Sequence, residues 1–216
     1  MLVSVILTIK NEETNINACL KSLLNQSHPD LEIIVLDDQS TDMTLEIIKE
    51  FTSDQRIKFF TTLGKNIKGH SNRRNYALSK TSGDYIFFTD GDCIPHYNWI
   101  YEGLKVFKDT NCSGVEGKTF YEANRGVTVA DYVTQRLKPG GYMTCNVAYL
   151  KRAIIQVGLF DPRYKYIYED RDLGMKVRKI GDVLFEPNML VFHQQKKVTV
   201  KTLFNRAKRA GDMVYF

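Results

Sequence analysis

Apolar and polar positions alternate along this chain in two rhythms, one of short buried runs and one of helical spacing. Val3 to Ile9 is a β-branched apolar run, which predicts a strand buried on both faces. Asn11 and Thr14 are candidate N-caps for the segment after it, where Ile16, Leu20, Leu23 and Leu24 recur at helical spacing. Leu31 to Leu36 predicts a second buried strand. It ends in Asp37-Asp38-Gln39-Ser40-Thr41-Asp42, turn chemistry that runs into a helix cap, and Leu45, Ile48 and Phe51 give the next helix its apolar face. Ile57 to Phe60 predicts a third strand, 64–71 a polar basic loop, and Asn72 to Ser79 a helix with Gly83 past its end. Tyr85 to Phe88 is a fourth strand, closed by Thr89-Asp90-Gly91-Asp92. Strand and helix thus alternate four times in about 92 residues, which predicts a parallel, doubly wound α/β sheet.

The second half is less regular. Trp99 to Phe107 and Asp170 to Ile180 read as helices, and Gly114 to Phe120 as a strand. Pro139-Gly140-Gly141 precedes a predicted strand from Met143 to Leu150. Val183 to Phe185 and Leu190 to Phe192 read as two short strands split by Pro187, and Val200 to Ala210 as a last basic helix. With no repeat or linker, the economical organisation is one domain over 1–216. It divides into two functional halves, 1–92 and 93–216.

Composition changes this picture little: 43% hydrophobic and 25% charged is ordinary for a globular protein. The formal charge of +5 gathers near the end, at Lys196, Lys197, Lys201, Arg206, Lys208 and Arg209. A positive end suits a pyrophosphate or an anionic membrane surface, and equally a solvated helix face. Cys19, Cys93, Cys112 and Cys145 form no CxxC pair, so neither a zinc nor a disulfide framework is expected, and a reducing compartment is the simpler reading. No run of ~18 apolar residues is present to span a membrane. The basic stretch at the end has no cap or tail and reads as cut from something longer.

Candidate chemistry lies at strand ends. In an open parallel sheet, ligands bind outside the carboxyl ends of the strands, and three predicted strands end in polar residues on that one edge. No GxGxxG follows any of them, so a dinucleotide site is not expected. Asp90 and Asp92 are two carboxylates one residue apart, able to share a hard divalent cation, and Gly91 allows a close turn. An Asp-Gly turn that merely ends a strand looks the same locally. Asp38 is placed to accept from a nucleobase or ribose, although a helix cap explains part of that run. Lys65, Lys68, Arg73 and Arg74 are candidates for a diphosphate, with Arg74 taken forward. Glu169 and Asp170 open a helix, where acidic residues also complement the dipole; facing a cleft, one could take a proton from a hydroxyl. His193 ends an apolar strand and is either a structural residue or a metal ligand.

These residues together resemble the inverting family-2 glycosyltransferases of the GT-A fold, over nearly the whole chain from Val3 to about His193. Val3 to Thr8 with Asn11-Glu12 is similar to the opening strand and nucleobase loop. Glu32 to Asp42 is similar to the nucleoside-binding turn, and Arg74-Asn75 with Ala77 to the segment near the diphosphate. Asp90-Gly91-Asp92 resembles the DxD metal motif. Cys145-Asn146 with Lys151-Arg152 and Gly158 to Asp161 resembles the acceptor-side segment, Glu169-Asp170 the pair whose Asp is the usual base, and His193 a late metal-shell His. Thr8-Ile9 stands where the family often has Pro. No QxxRW motif is found, which disfavours processive cellulose- or chitin-type polymerases.

The resemblance implies a GT-A-like open, mostly parallel twisted sheet with helices on both faces. It implies transfer of a sugar from a nucleotide-sugar donor, a UDP-sugar favoured, to a saccharide, lipid-linked or protein hydroxyl, as in building cell-envelope polysaccharide. Thr8, Asn11, Glu12, Asp38, Arg74, Asp90 and Asn146 would bind substrate, with Asn146 lining the acceptor pocket. Asp92, Asp90 and His193 would hold Mn²⁺ or Mg²⁺, Asp170 would act as base, and Glu169 would orient the acceptor. No nucleic acid is implied. The expected location is cytoplasmic or the cytoplasmic face of a membrane, with association through a C-terminal part missing here. The rivals are a sugar nucleotidyltransferase, which would want a Gly-rich phosphate loop that Thr8 to Glu13 lacks, a non-catalytic nucleotide-sugar-binding module, and a glycosidase.

Overall fold

The computed structural model describes residues 1–122, 131–132, 135–194 and 196–197. The first half runs β1 (Val3–Ile9), α1 (Ile16–Leu24), β2 (Leu31–Asp37), α2 (Thr44–Phe51), β3 (Ile57–Thr61), α3 (His70–Leu78) and β4 (Tyr85–Phe88). The second continues β5 (Cys93–Pro95), α4 (Trp99–Asp109), β6 (Gly114–Glu122), β7 (Asp131–Tyr132), β8 (Val147–Leu150), α5 (Lys151–Gln156), α6 (Glu169–Arg178), β9 (Val183–Gln194) and β10 (Lys196–Lys197). One eight-stranded sheet, ordered β3-β2-β1-β4-β8-β6-β9-β5, runs through both halves; β7 and β10 form a separate small ladder.

The first half is as the apolar runs predict. β1 pairs in parallel with β2 and β4, and β2 with β3. Because strand side chains alternate between faces, Val3, Val5 and Leu7 pack with α1, α2 and α4 through Leu20, Ile48 and Trp99. Ile6 and Ile34 point the other way and meet Leu78 of α3, Ile154 of α5 and Leu173 of α6. Both faces are therefore covered, which explains why these strands are mostly apolar rather than alternating; the buried polar pair inside them is satisfied, Ser4 Oγ donating to Glu32 Oε1.

The second half departs from expectation in four places. In the eight-stranded sheet three pairings are antiparallel, β4 with β8, β6 with β8, and β5 with β9, so that sheet is mixed beyond β4. Met143 is not in a strand: the Asn146 N–H donates to its carbonyl in a turn, and β8 begins at Val147. Pro187 does not split a strand. β9 runs on through it, and the register against β6 slips between Gly117 and Lys118, so that exposed Pro187 and Asn188 bulge out where no ladder donor is needed. α5 and β5 were not predicted; six and three residues are too few to show a period. Neither Asn11 nor Thr14 caps α1, whose N-cap is Asn15. The predicted helix from Val200 to Ala210 lies outside the described residues.

Candidate active site

The carboxyl ends of β1, β2 and β4 open into one cavity of about 490 Å³. Its rim is clamped by hydrogen bonds between the loops after β1 and β2. The Asn11 N–H donates to Ser40 Oγ, the Thr41 N–H to Asn11 Oδ1 at 2.8 Å, and the Glu12 N–H to Thr44 Oγ1. Asn11 takes φ 54° to do this, a left-handed value that Asn tolerates. The structure therefore places Asn11 in the clamp behind the rim, while Thr8 and Glu12 line the cavity itself. Gly91 is needed here, because a Cβ on it would press to 2.9 Å from Ile9 and 3.1 Å from Glu12.

The adjacent Asp37 and Asp38 do different work. Asp37 is fully buried and accepts the Ser40 N–H, so it is the turn residue. Asp38 lines the cavity, accepts from Thr62 Oγ1 at 3.1 Å, and pairs with Arg73 at 2.6 Å and Lys10 at 3.5 Å. Arg73, His70 and Tyr166 also line the wall and were not taken forward from sequence; they come from α3 and the segment before α6. That segment docks on the start of α3, where the His70 N–H donates to the Lys165 carbonyl at 2.6 Å and Ser71 Oγ to that of Tyr164. Gly69, with φ 83°, precedes the helix, whose residues His70, Arg73 and Arg74 line the cavity. Lys65 and Lys68 are absent from this wall.

The same cavity has an acidic lining, its floor. Asp90 and Asp92 line the cavity, and Asp92 is buried. Their charge is felt by Cys19 of α1: burial pushes its thiol well up, and Asp92, Asp90 and Glu12 push it further. The short β5 carries the chain from Asp92 into an antiparallel pairing that sets Cys93 across from His193, and the Gln194 N–H donates to the Asp92 carbonyl at 2.8 Å. His193, 5% exposed, is thereby brought to the acidic pair. Asp90, Asp92, Cys93 and His193 each offer a donor atom, all within 4.8 Å of one another. His193 Nδ1 lies 3.1 Å from the Gln194 carbonyl, which only accepts, so Nδ1 carries the hydrogen. In the neutral ring, Nε2 then turns a lone pair toward Asp92 Oδ1 at 3.6 Å. The imidazole and the two carboxylates thus present donor atoms to one small volume. Carboxylates with an imidazole fit Mn²⁺ or Mg²⁺ beside a phosphate.

Glu169 and Asp170 start α6 after Tyr168, a non-glycine residue at φ 67°. Such a value costs energy and concentrates at functional sites. Glu169 forms a buried ion pair with Arg74, and its Oε2 has no hydrogen-bond partner among the described residues. Asp170 is raised from 3.8 to about 6. Burial is the main cause and the charge of Glu169 the next; Arg74 opposes them, and Asp90 adds a further upward push. Asp170 therefore lies within electrostatic reach of Asp90, while the cavity's lining includes neither Asp170 nor Glu169. Asn146 is not in that lining either. It is 3% exposed, accepts from Trp99 Nε1 at 2.8 Å, and donates to the Lys118 and Met189 carbonyls. Instead of lining an acceptor pocket, it stitches β6, α4 and β9 together, and a Cβ on Gly117 would collide with it.

A mixed, doubly faced sheet with a polar cavity at its strand ends, basic on one wall and acidic on its floor, defines a GT-A-like domain. The chain belongs to glycosyl transferase family 2, whose model matches residues 4–143. It is 40% identical over 105 residues to the E. coli protein named UDP-Glc:alpha-D-GlcNAc-diphosphoundecaprenol beta-1,3-glucosyltransferase WfgD, covering 49% of this chain and 39% of WfgD. S. aureus TarS 1-349, solved with UDP-GlcNAc, superposes with TM-score 0.73 at 19% identity, covering 100% of this chain and 67% of that one. The mannosyltransferase PcManGT from Pyrobaculum calidifontis, solved with GDP-Man and Mn²⁺, superposes with TM-score 0.72 at 16% identity over 96% of this chain and 60% of that one. At these identities the two structures speak for the fold. The chain spans less than half the length of several curated relatives that it matches. Among the described residues, no helix is long and apolar enough to cross a membrane.

Proposed function

We propose that this chain is a single catalytic domain that moves a sugar from a nucleoside diphosphate, a UDP-sugar favoured, to an acceptor hydroxyl with inversion. The observation that carries this reading is one cavity lined both by the acidic pair Asp90 and Asp92 and by the basic Arg73 and Arg74, with Asp170, raised to about 6, close enough to feel Asp90. Asp38 meets the base and Asp90 the ribose, with Thr8 and Glu12 beside them. Arg73 and Arg74 hold the diphosphate and offset charge that grows on it as it leaves. Asp90, Asp92 and His193 are the residues that would hold Mn²⁺ or Mg²⁺, which when bound supplies further positive charge against the diphosphate.

Asp170 takes the proton of the acceptor hydroxyl as that oxygen bonds to the anomeric carbon from the opposite face. The bond to the phosphate oxygen breaks, and its electron pair leaves with the nucleoside diphosphate. Base assistance of this kind is worth about 10²–10⁴-fold. A raised carboxyl is a stronger base than an ordinary one while still ionised at neutral pH. Glu169 holds Arg74 and presents its unpartnered oxygen to the acceptor. The likeness to WfgD favours UDP-glucose and a lipid-linked saccharide as donor and acceptor classes.

The test is to incubate the protein with UDP-glucose, UDP-N-acetylglucosamine and GDP-mannose, with and without Mn²⁺, and to measure nucleoside diphosphate release. One of the UDP-sugars is expected to give release that depends on the cation. Binding of a UDP-sugar with no release, with or without a glycan acceptor mixture, would instead make the domain a binding module.

A further inference from the structure

The cation site contains a sulfur atom that the proposed reaction does not use. Cys93 follows Asp92 directly, is fully buried, and its Sγ lies 3.8 Å from Asp92 Oδ1. The same Asp92 oxygen lies 3.6 Å from His193 Nε2. These separations can be compared with the edges of a metal polyhedron. Metal–sulfur bonds of about 2.3 Å and metal–nitrogen or –oxygen bonds of about 2.0–2.2 Å set neighbouring tetrahedral donors about 3.3–3.7 Å apart. Asp92 Oδ1 thus already stands at close to ligand-edge distance from both the thiol and the imidazole, and the Asp90 carboxylate completes a four-donor group within 4.8 Å. The β5–β9 pairing fixes this arrangement, because Cys93 and His193 are direct cross-strand partners.

We propose that Cys93 is a fourth protein donor of this site, so that the site takes borderline, thiophilic divalent cations such as Zn²⁺ and Co²⁺ through sulfur as well as hard cations through its oxygens. The inference rests on the cation site of the proposed function and goes beyond it in donor set and metal class. An O, N and S set discriminates by ligand softness: sulfur adds much to Zn²⁺ or Co²⁺ and little to Mg²⁺. Zn²⁺ would accordingly compete with Mn²⁺ for the domain, holding it in a closed four-protein-ligand form with no position left for a phosphate oxygen.

Cobalt absorption is the direct test. Adding Co²⁺ to the whole, metal-free chain is expected to produce a sulfur-to-cobalt charge-transfer band in the near ultraviolet at one equivalent. Cys93→Ser should lose that band and bind Zn²⁺ roughly 100-fold more weakly, with Mg²⁺ affinity little changed. Cys145→Ser should keep the band. Should Cys93→Ser fail to fold, X-ray absorption of the Zn²⁺-loaded wild-type chain decides instead, one sulfur at about 2.3 Å being expected. Co²⁺ or Zn²⁺ bound without sulfur overturns the inference and leaves the oxygen-held cation of the proposed function standing. A chain that binds none of these cations overturns both.

Discussion

Replacing Asp170 with Asn is expected to lower sugar transfer by about 10²–10⁴-fold while leaving donor binding nearly unchanged, because a base is needed only when the acceptor proton leaves. The wild-type rate constant kcat/KM should rise with pH through an acid limb at about 6, the pH at which Asp170 ionises, and that limb should vanish from the residual rate of the variant. Stability gives a second readout of opposite sign. A carboxyl raised from 3.8 to about 6 is protonated in both states below pH 3.8, so it imposes no penalty there. As pH climbs through 3.8 to 6 the unfolded chain ionises first, and the folded state loses stability until the penalty is complete above 6. Two pKa units correspond to about 3 kcal/mol, which partial solvent exposure cuts to about 1–2 kcal/mol. Asp170→Asn, which keeps an acceptor for the Arg171 N–H, should therefore be more stable than wild type at pH 8 by about that amount and equal to it near pH 3.5, as measured by denaturant unfolding. Loss of activity together with gain of stability marks a group held for chemistry. A variant that keeps full transfer, or one destabilised at pH 8, would remove Asp170 from the mechanism.

Glu169→Gln is expected to be the most damaging conservative change to the fold around the cavity. Arg74 and Glu169 are 6% and 5% exposed, and each neutralises the other. Removing one charge leaves a buried guanidinium uncompensated, which costs about 3–5 kcal/mol in buried pairs; the amide oxygen that remains as an acceptor brings the expected loss to about 2–4 kcal/mol. The same change removes the negative neighbour that raises Asp170 and leaves Arg74 free to lower it further. The acid limb of kcat/KM should accordingly move below 6. Denaturant unfolding and a pH–rate profile read the two effects separately. A purely structural Glu169 would give the first effect without the second.

The parts of this site that could be read in advance were those carried by runs. β1, β2 and α1 match their expected bounds to within a residue, because strands buried on both faces read as nearly continuous apolar runs, broken here only by Ser4, Thr8 and Glu32. Each of those strands ends at its first polar cluster. The acidic turn after β4 was visible for the same reason. What stayed hidden was set by pairing between distant segments. His193 reaches Asp92 only through β5, three residues long, whose antiparallel partner lies a hundred positions away. Arg73, Lys10 and Thr62 converge on Asp38 from three separate segments, and nothing local distinguishes Arg73 from its neighbour. Asn146 sits in a motif that suggested a ligand pocket, yet its amide is used up by an indole N–H and two carbonyls brought in from other elements. Satisfaction of a buried polar group depends on the whole fold, so a short motif does not reveal it.

The claim beneath all of this is that the acidic floor and the basic wall share one diphosphate through a cation. Calorimetric titration of the chain with UDP, in EDTA and then in saturating Mn²⁺, tests it most directly, since a coupling between two ligands appears as a change in affinity. The account predicts that Mn²⁺ tightens UDP on the order of 10- to 100-fold, and that UDP tightens Mn²⁺ by the same factor. Equal UDP affinity in the two solutions would contradict it.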